Sequence, residues 1–311
     1  MEYQYIVYEV DESVARITLN RPEVRNALNW PLLAELSTAL KEAEKDRSVK
    51  VIILKGAGPC FSAGHDMSPT MGEAPKDMDK TFETLDVTGT TVWDSRAHVQ
   101  GHIDHALEIW NNWKPVIAQV HSYCLAGATG LALTCDMLIA SDDARMGYPP
   151  VRGTATGDEI VLFSWHVGLK KAKELSLTGD SLTAQEMLQY GIANYVVPRD
   201  QLDEVTTNIA KRMANIHLET LALSKRVVCR TFDLMGFTTS IQYGGEFDSL
   251  AHMLRAPTGA NIEGHRIRHE RGLKGYLKWR DGPFGGIGGR YPPVAQAGGK
   301  QVAPDLKDEK K

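Results

Sequence analysis

An α/β fold is predicted by three features of the sequence. Apolar runs of strand length, Val51 to Leu54, Val116 to Val120 and Met137 to Ala140, alternate with segments of helical periodicity, the pattern of βαβ units around a parallel sheet. Two of these runs lead into turns built from small residues, GAGPCFSAGHDM at 56–67 and LAGATG at 125–130. With 311 residues, 42% hydrophobic and 24% charged, the chain is long enough to bury a large core.

The elements follow in order. Tyr3 to Tyr8 and Val14 to Asn20 alternate as paired strands, with Asp11-Glu12-Ser13 as the turn. Asn29 is placed to cap a helix with Pro31 in its first turn, and Leu32, Leu33, Leu36, Leu40 and Ala43 recur at helical spacing. Residues 68–95 have little periodicity and read as a loop, either a lid over a site or a surface insertion. Ala97 to Trp113 is helical; His98, His102 and His105 recur along it, but without an accompanying carboxylate or cysteine pattern they read as structural rather than metal-binding. Short helices are expected at Leu169 to Leu177 and Ala184 to Tyr190, a strand at Ala193 to Val197, and helices over Leu202 to Arg230, Phe237 to Leu254 and His265 to Trp279. Beyond Phe284 the chain is rich in Gly, Pro and alternating charge, which cannot build a core, so 285–311 is expected to be a disordered tail.

Composition excludes several function classes. A net charge of -4 argues against a protein that lives on phosphate backbones, so no nucleic-acid partner is expected. No run of about 18 apolar residues is present and no apolar leader precedes a cleavage site, so neither a membrane partner nor export is expected. Cys60, Cys124, Cys135 and Cys229 have no C-x-x-C spacing, which points to reduced thiols rather than disulfides or zinc. A cytoplasmic protein without a metal fits these observations.

The small-residue turns carry the chemistry. A strand that passes through Ala126-Gly127-Ala128 into a helix leaves the first N–H groups of that helix without intrahelical partners, and small side chains let a ligand oxygen approach them. Close packing of strand on helix would need the same residues. A second turn of the same kind, Phe61 to Asp66, can aim another N–H at the same point. Together with LNRPEVRNALN at 19–29 and LTGDSLTAQEMLQYGIANYVV at 177–197, the two turns resemble the crotonase, or enoyl-CoA hydratase/isomerase, superfamily over roughly the first 230 residues.

That resemblance implies a ββα spiral core over 1–200 carrying an acyl-CoA site, then a C-terminal helical region over 201–284 for trimerisation and CoA contacts, in a homotrimer or homohexamer. It implies a CoA thioester substrate and no separate cofactor. The thioester oxygen would be held by the backbone N–H groups of His65 and Gly127. Arg25, Ala27, Ala63, Gly64, Asp66 and Tyr148 fall in the binding motifs, and Lys278 and Arg280 lie in a segment similar to the family's CoA-proximal end; a solvated basic helix face is the other reading of those two. Asp66 has a second reading too, as a residue that holds the turn.

Enolate chemistry on a thioester also needs a group that moves a proton. The two positions at which hydratases of the family carry glutamates are here Gly130 and Pro150. Asp158 is the first replacement considered and Glu159 the second; the alternative for Asp158 is a helix cap. His65 is a further candidate through its side chain. The expected activity is isomerisation or another one-base reaction on an enoyl-CoA, with hydration, carbon–carbon hydrolysis, decarboxylation or silent acyl-CoA binding as alternatives.

Overall fold

The computed structural model describes residues 3–67, 92–153, 155–253 and 262–286, apart from the side chains of Asp158, Met253 and His265. Most of the expected loop over 68–95, and nearly all of the expected tail over 285–311, lie outside the described residues.

Strands β1 (Ile6–Asp11) and β2 (Val14–Leu19) form an antiparallel hairpin whose turn places Glu12 at φ 54°. β3 (Val51–Gly56), β4 (Val116–Val120), β6 (Met137–Ser141) and β9 (Tyr195–Val197) then add in parallel, giving a six-stranded sheet in the order β1-β2-β3-β4-β6-β9. Parallel strands are buried on both faces, which is why these runs are continuously apolar. Ile17, Ile52, Leu54, Ala118 and Leu138 point into the larger core, against α1 (Trp30–Lys45) and α3 (Gly127–Leu133). Val14, Val51, Ile53, Ile117 and Ile139 point the other way, where Leu202 and Ala210 of α6 (Leu202–Ala214) and Leu221 of α7 (Leu218–Met235) cover them. The cap of α1 forms as its sequence predicts: Asn29 Oδ1 accepts the Leu32 N–H at 3.0 Å.

A second sheet, β5-β7-β8, consists of three-residue strands: Tyr123–Leu125, Arg145–Gly147 and Ser181–Thr183. Two successive turns of the chain run through a long strand, a short strand and a helix, first β4-β5-α3 and then β6, β7 and the helix that opens at Asp158, as in a ββα spiral. The short strands show no alternation in sequence and were not expected as strands.

Three helices differ from expectation. α2 (Val92–Asn111) starts ahead of Ala97, because Ser95 is already buried and donates to the Ser249 carbonyl at 3.0 Å, so 92–95 belong to a helix rather than a loop. α4 (Asp158–Thr178) begins eleven residues before Leu169 and changes direction at Gly168, whose φ of 74° and ψ of 162° lie outside the helical region. The helical stretch expected from 202 to 230 is two helices, α6 and α7. α5 (Ala184–Gln189), α8 (Phe237–Met253) and α9 (Ile262–Asp281) complete the fold; α9 is broken at Gly272, where φ is 63°.

Candidate active site

The two small-residue turns meet because β3 and β4 are parallel neighbours, with Ile52 opposite Val116 and Lys55 opposite Gln119. Beyond the sheet, Ser62 bridges Cys124, and the Leu125 N–H donates to the Ser62 carbonyl at 3.2 Å. Buried Asn26 braces the first turn: its Nδ2 donates to the carbonyls of Ala57, Cys60 and Phe61, and its Oδ1 accepts the Arg21 N–H. Gly64, at φ 94°, lies so close to the second turn that a methyl there would sit 2.6 Å from the Leu125 carbonyl oxygen. Only glycine combines that conformation with that approach.

On the other side, Leu28 donates to the Gly64 carbonyl and accepts the Asp66 N–H, both at 2.9 Å. Groups alternate in direction along an extended chain, so the His65 N–H faces away from Leu28. In the second turn Ala126 takes φ 51° and ψ −133°, a conformation costly for any residue with a Cβ. Its N–H donates to the Gly147 carbonyl at 2.9 Å, and its carbonyl accepts the N–H and the hydroxyl of Thr129. The chain is thereby bent so that Gly127 begins α3, and no side chain caps that helix. The His65 imidazole lies directly on Gly127; a methyl on Gly127 would be 2.0 Å from His65 Nε2.

Beneath His65 is a column of flat rings. His65 stacks on His102 with centroids 3.7 Å apart and planes 20° apart, and His102 stacks on the buried indole of Trp30 at 4.4 Å and 13°. His98 meets both edge-on, with its Nε2 3.4 Å from His102 Nε2. Burial holds the His102 imidazole well below its usual range, and His65, His98, His105 and His252 push the same way. The enclosed Nδ1 of His102 has no hydrogen-bond partner among the described residues. The helical spacing of His98 and His102 is visible in sequence, whereas their stacking on His65 depends on a fold-level contact. No cluster of three or more metal-ligating groups occurs among the described residues.

The carboxylate beside Gly130 belongs to Glu159, the second residue of α4. It is 3% exposed, with Cγ 3.3 Å and Oε1 3.9 Å from where a methyl on Gly130 would lie. A methyl on Gly157 would fall 2.1 Å from Glu159 Oε2 and 2.4 Å from the Tyr148 hydroxyl, so the carboxylate and the phenol are neighbours that share the space glycine leaves. The position that lacks a carboxylate in sequence, 130, thus has one beside it that enters from another element. Asp158 is the first residue of α4, and its side chain lies outside the described atoms.

The remaining expected residues divide. Ala63 donates its N–H to the Arg25 carbonyl at 3.0 Å; the Arg25 side chain is exposed, and Ala27 is half-buried next to it. Asp66 is buried in an ion pair with Arg21 at 2.9 Å, and Arg21 also donates to the Ala27 carbonyl, contacts that brace the turn. Lys278 is exposed on α9. Arg280 runs against the expectation of a phosphate contact: it is buried and bidentate on Asp281 at 3.0 and 2.8 Å, with Arg152 bridging Asp281 and Asp180.

Known proteins match this architecture. Residues 9–252 fit the model of the enoyl-CoA hydratase/isomerase family. The chain belongs to that family. It is 34% identical over 293 residues to EchA13 of Mycobacterium tuberculosis, covering 91% of this chain and 90% of that one. Similarity to the trans-2-decenoyl-[acyl-carrier-protein] isomerase of Streptococcus mutans is 29% over 215 residues, or 68% of this chain and 77% of that one. Among solved structures, an enoyl-CoA hydratase/isomerase from Xanthobacter autotrophicus Py2 superposes with a TM-score of 0.78 at 34% identity, covering 91% of this chain and 99% of that one. The family member described here has glycine at 130 and proline at 150.

Proposed function

We propose that this enzyme shifts the double bond of an enoyl-CoA, using the N–H groups of His65 and Gly127 to hold the thioester oxygen and Glu159 as the single proton carrier. Family membership supports the CoA thioester. The observation that carries the one-base reading is the Glu159 carboxylate beside Gly130, one helical turn from Gly127. On a 3-enoyl-CoA, Glu159 takes a proton from C2 while the electron pair moves through the carbonyl to the thioester oxygen. Delivery of a proton from the same carboxyl to C4 moves the double bond to the 2-position with no net change in atoms, and exchange of that carboxyl with solvent before delivery labels the product. The oxyanion is held by preorganised N–H donors at the moment charge appears, which is where such donors lower the barrier most. Exposed Arg25 is the cation best placed in sequence for a CoA phosphate, and Arg280 is given up for that role.

Hydration is the second reading, favoured by one observation: the Tyr148 hydroxyl beside Glu159 is a second proton-bearing group, and addition of water uses two. Incubation with 2- and 3-hexenoyl-CoA in deuterated water, followed by mass spectrometry, separates the cases. Deuterium uptake without added mass of water indicates isomerisation, and a gain of one water indicates hydration. Binding with neither leaves a silent binder. Glu159→Gln should lower exchange by about 10²-fold to 10⁴-fold, the range for a general acid–base group. An exchange rate close to that of the wild type would remove Glu159 from the mechanism.

A further inference from the structure

The segment that delivers Glu159 is tied to a distant helix. Gly157, the residue that caps α4, contributes no side-chain hydrogen bond, and Gly157 must remain a glycine to leave room for the carboxylate. A long-range hold on this segment comes from α8, about ninety residues further along. Asp248 Oδ1 accepts the Thr156 N–H at 2.9 Å, and Asp248 Oδ2 faces His252 Nε2 at 3.3 Å one turn on. Asp248 is 7% exposed, so its carboxylate serves internal partners.

α8 is in turn fixed to the helices on both sides of the site. On α2, which carries His102 beneath His65, Ser95 donates to the Ser249 carbonyl at 3.0 Å and Arg96 pairs with Glu246 at 2.8 Å. Gly245 is packed so tightly on α2 that a methyl there would lie 2.4 Å from Ile103 Cδ1. On α4, Trp165 Nε1 donates to Ser240 Oγ at 2.9 Å. α8 thus spans the oxyanion side and the carboxylate side, and Asp248 is its contact with the backbone three residues before Glu159.

We propose that Asp248 is a positioning residue for catalysis: its carboxylate fixes the 155–157 backbone so that Glu159 is aimed at the space in front of Gly130, with His252 holding that carboxylate in place. This rests on the assignment of Glu159 as the proton carrier. A backbone bond to a buried carboxylate is charge-assisted, and a displacement of about 1 Å at a reacting group can cost about 10²-fold in rate.

Two replacements separate geometry from charge. Asp248→Asn leaves an acceptor at the same place and is expected to keep kcat for 3-hexenoyl-CoA within a few-fold. Asp248→Glu keeps the charge but moves the acceptor by a methylene, and kcat should fall by about 10²-fold with KM little changed. Hydrogen exchange of the Thr156 amide, followed by mass spectrometry of the 155–163 region, should be accelerated in the Glu variant and not in the Asn variant. The reverse order of the two variants, or unchanged Thr156 protection in both, would overturn the proposal. Accelerated exchange with wild-type kcat would overturn it as well, and Glu159→Gln then locates the fault: if that variant is inactive, only the role of Asp248 fails, whereas if it is active the assignment of Glu159 fails with it.

Discussion

Three glycines at the site differ in what a methyl would meet, and their substitutions should differ accordingly. At Gly157 the obstacles are the ends of two side chains, Glu159 and Tyr148, which can swing away. Gly157→Ala should therefore fold with a thermal midpoint close to that of the wild type and lose most turnover, because the displaced group is the carboxylate. Gly127→Val is expected to behave similarly by displacing the His65 ring, which the proposed mechanism places beside the thioester. At Gly64 the obstacle is backbone, and φ is 94°, so Gly64→Ala should lower the thermal midpoint itself. A Gly157→Ala variant with full activity would show that the carboxylate is not needed where it lies. At this scale the sequence was readable in part. The motifs point to His65 and Gly127 and offer Asp158 before Glu159 as a carboxylate, but that Glu159 lies beside Gly130 is a tertiary fact, because nothing in the spacing of 130 and 159 says that they meet. Asp66 shows the converse: its place in a motif suggests a ligand contact, and its ion pair with Arg21 is made by a residue 45 positions away.

Elements were legible where their periodicity is long. The buried parallel strands are continuous apolar runs, and α1 has a cap, a proline and a stripe of leucines. β5, β7 and β8 are three residues each, too short for alternation to register, and the start of α4 was hidden because Gly168 divides its pattern. Between α1 and α2 lies a polar clasp invisible in either helix alone. His105 Nδ1 lies 2.7 Å from Ser37 Oγ, the Ser37 hydroxyl donates to Glu108, and Lys41 pairs with Glu108 at 2.9 Å. Burial alone would raise the Glu108 carboxyl, but bonds from His105, Ser37 and Lys41 outweigh it and bring the group from 4.5 to about 2. A carboxyl depressed on folding contributes stability above its unfolded value, and that contribution fades as pH falls through the folded one. Urea midpoints should therefore drop more steeply for the wild type than for Glu108→Gln between pH 4.5 and about 2. Parallel curves for the two proteins would show that the clasp adds nothing to stability.

At the scale of the whole molecule, the C-terminal helices leave apolar side chains outside. Leu223, Val227 and Leu234 recur along α7, and Tyr243, Phe247 and Leu250 along α8, all exposed in the single chain. Stripes of this kind on neighbouring helices suit burial against further copies, and we expect a trimer or a dimer of trimers. Light scattering after size exclusion should give a mass of three or six chains, and Val227→Glu with Leu223→Glu should reduce it; a wild-type monomer at micromolar concentration would count against this assembly. No helix among the described residues is long and apolar enough to cross a membrane. The parallel order of the sheet has a further effect, since it sets the two turns side by side whatever length of chain is spliced between them. The space in front of Gly130 is likewise an address in the molecule and not in the chain. A carboxylate can be delivered there from α3 or from α4, so a spiral of this kind can inherit a new reaction by moving one acidic residue from one coil to the next while its oxyanion turns stay unaltered.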